Sequence, residues 1–200
     1  MKRITFLLMI IMSVSCAQDK KPILGETAFQ KKLNSEFKDA TTSPLKAKDL
    51  RTFEGLDFFV FDSAFVVKAK LKLTPDTEFF KMKTTTSRVS EERVFGVLTF
   101  ELKGKQFELN VYQGKEMMTT KGYEDYLFLP FLDDTNGDAT YGGGRYIDLR
   151  IPEGDSIEID FNTAYNPYCV YNVKYSCPIV PRQNYVAIKV EAGVKAFKKD

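Results

Sequence analysis

The 200-residue chain contains no histidine. That absence excludes a serine–histidine–aspartate triad, a cysteine–histidine pair and any histidine-ligated zinc, and leaves acid–base work to Asp, Glu, Tyr or Lys. Tryptophan is missing as well, while Phe occurs 17 times and Tyr 10 times, which suits a β-rich, aromatic-packed interior. Beyond the N-terminal leader no apolar run is long enough to span a bilayer. Neither sign of charge dominates: 29 Lys+Arg face 27 Asp+Glu, and setting aside Lys2 and Arg3 leaves 27 against 27. The basic footprint of nucleic-acid binding is therefore lacking. At 44% hydrophobic and 28% charged, the chain can bury the core of one ordinary domain.

What is present starts with a leader. Lys2-Arg3 supply a positive end, Ile4 to Met12 an apolar stretch, and Ser13-Val14-Ser15 precede Cys16. Residues 1–15 thus read as a secretory signal peptide. The arrangement resembles the lipobox of bacterial lipoproteins, although Ser13 stands where leucine is usual. The resemblance implies that Cys16 is acylated, palmitate being one such chain. It also implies a membrane-anchored protein of the bacterial cell envelope, facing the periplasm or exterior. A plain export signal containing a cysteine is the alternative. Residues 16–25 are a polar tether, 26–195 a single β-rich domain and 196–200 a polar tail.

Within the domain, Phe29, Leu33 and Phe37 recur at a spacing of four over Glu26 to Lys38, which predicts one amphipathic packing helix ended near Thr41-Thr42-Ser43-Pro44. From Phe65 the period becomes two: Phe65, Val67, Ala69, Leu71 and Leu73 alternate with Val66, Lys68, Lys70 and Lys72. Phe80 and Met82 continue in this style. Leu98, Phe100 and Leu102 face Phe107, Leu109 and Val111 across Lys103-Gly104-Lys105, a hairpin signal. Further strands are expected near 126–132, 145–151, 156–161 and 185–190, the third returning along the second as a hairpin. The predicted fold is mainly β, an antiparallel barrel or sandwich with one N-terminal helix.

Between Tyr126 and Pro178 the residues exceed what a plain core needs. Tyr126-Leu127-Phe128-Leu129-Pro130-Phe131 leads into Asp133-Asp134-Thr135-Asn136-Gly137-Asp138. There follow Tyr141-Gly142-Gly143-Gly144-Arg145-Tyr146, Asp160-Phe161-Asn162 with Ala164-Tyr165-Asn166-Pro167, and Tyr171-Asn172 through Cys177-Pro178. On these segments, with Ser43-Pro44-Leu45 and Phe53-Glu54-Gly55-Leu56, the chain resembles the bacterial family catalogued as domain of unknown function 1684, over roughly Gly25 to Gly193. That resemblance implies kinship and no particular reaction.

Three glycines expose backbone N–H groups and permit positive φ, so Gly142, Gly143 and Gly144 could hold an anion beside the forked guanidinium of Arg145. Alternatively the glycines make a tight bend and Arg145 pairs with Asp148 or Asp160. Asn162, Tyr165 and Asn166, with Asp160, could orient a small polar or anionic ligand, or simply pin loop backbone. If the protein is an enzyme, Asp160 would be its acid or base, with Tyr165 or Tyr146 as proton donor. A scaffold with a protein or glycan partner is a third possibility. The 133–138 turn lacks the acids of an EF-hand at its ends and reads as solvated. No metal and no cofactor is expected. Cys169 and Cys177, an even remainder in an exported chain, are expected to form a disulfide.

Overall fold

The computed structural model describes residues 24–197. The expected leader, Cys16, most of the tether and the end of the tail lie outside the described residues. Helix α1 (Ala28–Lys38) starts at a reciprocal cap: Gln30 N–H donates to Thr27 Oγ1 at 3.2 Å, and Thr27 N–H donates to Gln30 Oε1 at 3.2 Å. Its apolar stripe buries Leu33 and Phe37 against Leu56, Phe58, Val170 and Tyr171. A short helix α2 (Ala47–Leu50) follows.

Eight strands form one sheet: β1 (Val66–Leu73), β2 (Phe80–Lys83), β3 (Val89–Leu102), β4 (Lys105–Gly114), β5 (Tyr126–Asp133), β6 (Arg145–Arg150), β7 (Ser156–Asp160) and β8 (Tyr185–Val186). The main path runs β6-β5-β4-β3-β1-β7, all antiparallel and curled into a half-barrel. β2 extends β3, and β8 lies parallel to the end of β5. The expected β3–β4 hairpin is formed on a two-residue turn with Lys103 at φ 49° and Gly104 at φ 75°, the primed geometry that matches strand twist. Alternation sends Leu98, Phe100, Leu109, Leu129, Ile147 and Ile159 to the concave side, where they form the main core. Burying each such side chain contributes about 1.5–3 kcal/mol. The opposite residues of β4, β5 and β6, among them Tyr112, Phe128 and Tyr146, form a second, aromatic layer on the convex side with Met82 and Val180.

One expected pairing is corrected. β6 and β7, although consecutive, do not form a hairpin; β7 pairs with β1 (Val66↔Asp160 to Lys70↔Ser156), at the far end of the sheet from β6. β1 would otherwise be left with an unpaired edge, and β6 already has β5 on one side. A single turn at Phe161–Thr163 then carries the chain from the β7 end to the free edge of β6. There Tyr146 N–H and Tyr165 N–H each donate to the other's carbonyl, at 2.9 and 3.0 Å. That crossing links the two sheet edges and delivers Tyr165 to the convex face.

Candidate functional site

The glycine–arginine segment is structural. Arg145 is 0% exposed: its Nη2 donates to Asp133 Oδ2 at 2.9 Å and to the Val190 carbonyl at 2.8 Å, and its Nη1 to the Ala192 carbonyl. Its guanidinium also lies over the Phe131 ring, 5.3 Å from the centroid. The anion-holding role expected for Arg145 is thus corrected, and so are its expected partners Asp148 and Asp160. Burial pulls the Arg145 pKa down, and Asp133 opposes that shift. Gly142 and Gly143 are exposed, whereas Gly144 is buried at φ +88° with the Phe131 carbonyl 2.6 Å from where a Cβ would stand. The run bends the chain into β6. The 133–138 turn is also less solvated than expected. Asp133, Thr135 and Thr140 are buried, with Thr135 Oγ1 donating to Asp133 Oδ1 at 2.6 Å.

Asp160 and Asn162 do come together, but for the backbone. Asp160 Oδ1 accepts from Asn162 N at 2.9 Å and Nδ2 at 2.8 Å, and Asn162 clasps Asp62 through 3.0 and 3.1 Å bonds to its main chain. Asn166 Nδ2 donates to the Lys195 carbonyl at 2.9 Å. The pairing of Asp160 with Tyr165 expected for an enzyme is not assembled: the Tyr165 hydroxyl turns to Asp148, and the Tyr146 hydroxyl donates to the Pro178 carbonyl.

The expected disulfide is corrected as well. Cys169 and Cys177 are both free, adjacent through a 3.2 Å hydrogen bond from Cys169 N–H to Cys177 Sγ. Desolvation pushes the Cys177 thiol up to about 12, so it is a poor nucleophile near neutrality. The loop is fastened by hydrogen bonds instead: Thr85 N–H donates to the Cys177 carbonyl at 2.9 Å, and Cys177 N–H to Thr85 Oγ1 at 3.1 Å.

The chemistry gathers on the convex face. A cleft of about 360 Å³ lies between α1, the outward residues of β6 and the 165–178 loop. Phe29, Lys32, Leu33 and Glu36 of α1 form one side, and Tyr146, Asp148 and Tyr165 the floor. Pro167, Tyr168 and Tyr175 to Pro178 close the other side. Two phenols converge on one carboxylate oxygen: Asp148 Oδ1 accepts from Tyr126 at 2.8 Å and from Tyr165 at 2.6 Å. Among the described residues none donates to Oδ2. Burial first, and the neighbouring charge of Asp148 next, raises the Tyr126 pKa; burial, Tyr126 and Asp148 raise that of Tyr165. Both tyrosines therefore stay neutral and act as donors, holding a carboxylate with one free oxygen among aromatic rings. Lys32 and Glu36 pair with each other at 3.8 Å, which leaves Asp148 as the unbalanced charge of the cleft.

A family model described as a protein of unknown function (DUF1684) matches residues 51–195, most of the chain. The chain belongs to this family. The matched DUF1684 span carries the floor of the cleft and the 165–178 loop, while α1 lies before it. The solution structure of an uncharacterised protein from Haloarcula marismortui is similar, at 29% identity and a TM-score of 0.65 over 82% of this chain and 89% of that one. No curated protein matches the chain.

Sequence reasoning named Tyr165 and Tyr146 as site residues but gave Tyr126, Tyr168, Tyr175 and the α1 face no part in the site, and met Asp148 only as a partner for Arg145. A signal was available in Tyr146-Ile147-Asp148-Leu149, where strand alternation opposes Asp148 to two buried aliphatics.

Proposed function

We propose that this protein is an envelope-tethered binding module whose convex cleft takes a small ligand with a flat, apolar body and one hydrogen-bond-donating head, an ammonium or a hydroxyl. The observation that carries this is Asp148, held by two phenols with one oxygen open to an aromatic-lined cavity. A cavity of this size and lining is what small-molecule sites commonly offer. The tyrosine rings would add attraction for a cationic head. An anionic ligand is disfavoured, because Asp148 would repel it and Arg145 is spent in the core. The tether follows from the lipobox-like leader: acylation of Cys16 by two or more chains would hold the domain at a membrane.

Calorimetric titration with phenethylamine, 2-phenylethanol and phenylacetate tests the cleft, since the three share a body and differ in the head. The first two should bind and phenylacetate should not, and Asp148→Asn should remove most of the preference for phenethylamine. Equal binding of all three, or a preference untouched by Asp148→Asn, would refute the assignment. For the tether, Cys16→Ser should release the protein from the membrane fraction; retention as firm as the parent's would exclude lipid anchoring.

A further inference from the structure

Away from the cleft, two buried ionisable groups have an atom without a partner: Arg145 at Nε, its other nitrogens being bonded, and Glu92 at Oε2. Glu92 of β3 is 6% exposed; Ser90 Oγ donates to its Oε1 at 2.6 Å, and Oε2 receives no hydrogen bond. Lys115, at the end of β4, pairs with Glu91 at 3.2 Å, and among the described residues no salt bridge reaches Glu92. A buried carboxylate oxygen left bare is costly or forces protonation.

Oε2 is closed off from solvent where it stands, so a donor from outside reaches it once the Glu92 side chain turns toward the neighbouring recess. Gly114 stands opposite Glu92 in the β3–β4 register, and a Cβ there would sit 3.2 Å from both carboxylate oxygens. Gly114 and Glu92 both line a recess of about 720 Å³. Arg88, Glu91, Glu92, Lys115 and Glu116 line it, two cations against three carboxylates, a net of −1 when Glu92 is ionised. Val89 and Met117 add aliphatic surface. A metal ion finds no ligand set, since no three acidic or sulfur groups converge among the described residues.

We propose that this recess is a second binding site, for an aliphatic primary ammonium whose N–H groups donate to Glu92 Oε2 while its methylenes lie along Val89 and Met117. One monovalent cation cancels the net charge of the lining, and an N–H donor replaces the hydration that burial has removed. The direction of the Glu92 shift agrees: desolvation raises its carboxyl above the usual range against the pull of Ser90 and Arg88, which marks a carboxylate short of compensation.

The test is an NMR titration of the folded protein with 1-butylamine, using 1-butanol and butyrate as head-group controls. Butylamine should saturate and move the amide signals of Ser90, Glu92 and Gly114, and the controls should not. Glu92→Gln keeps the shape and removes the charge, so it should weaken butylamine about tenfold or more, the scale of a lost charged hydrogen bond. Gly114→Ala, which crowds both oxygens, should weaken it too, whereas Asp148→Asn should leave it unchanged. The proposal is overturned if butylamine does not saturate, if its shifts centre on Asp148 and Tyr165, or if folded Glu92→Gln binds it as well as the parent.

Discussion

Arg145 and Asp148 stand three residues apart on β6 and point to opposite sides of the sheet. Arg145 enters the half-barrel, where Asp133 and two carbonyls of the 190–192 segment take its charge. Asp148 faces outward, steadied by Tyr126 and Tyr165 yet open at its second oxygen. One charge ties the chain to itself and the other is left for something else. A fully buried ion whose two terminal nitrogens are bound by the chain itself contributes to the integrity of the fold. A carboxylate with half its capacity committed is pre-oriented for an outside partner.

Stability measurements would break or sharpen this contrast. Arg145→Met leaves Asp133 uncompensated in the core and should cost about 3–5 kcal/mol by urea denaturation, as removal of one member of a buried pair does. Asp148→Asn should change stability by no more than about 0.5 kcal/mol, as exposed substitutions do. Comparable losses at the two positions would erase the distinction. Within the glycine run, Gly144→Ala must adopt φ +88° against the Phe131 carbonyl and should cost about 1–3 kcal/mol or more. Gly142→Ala meets nothing closer than 3.6 Å and should be nearly neutral in thermal denaturation. In binding rather than stability, the informative change is Tyr165→Phe, which frees Asp148 from one of its two donors. It should weaken phenethylamine several-fold, about 1 kcal/mol, with the fold intact. In the parent, affinity should stay flat into mildly alkaline pH, because the raised tyrosine pKa values keep both donors protonated.

Helix α1, the alternating strand β1 and the β3–β4 hairpin were legible because each is written in local periodicity or turn chemistry. The main core follows from the same alternation. The β6–β7 pairing was misread because adjacency in sequence favours a hairpin, while the curl of the sheet places β7 beside β1 instead. Arg145 was legible as a residue with a task, but its partner Asp133 lies across a turn whose geometry the sequence does not disclose. The disulfide expected between Cys169 and Cys177 was misread: the even cysteine count invites a bridge, whereas both thiols are free and meet through an N–H to sulfur contact.

The amino-acid sequence by itself determined the mainly β class, helix α1 and most strand positions, the absence of histidine chemistry and the family kinship, but not helix α2 or the shortness of β8 (Tyr185–Val186). These depend on residue types and on spacings of a few positions. Only the tertiary structure decided which charge is buried and which is free. The cleft draws on α1, β6 and the 165–178 loop, and Tyr126 and Tyr165 reach Asp148 from separate parts of the chain. Burial and hydrogen-bond partners are properties of where distant segments meet, and the crossing from β7 to the edge of β6 sets that meeting here.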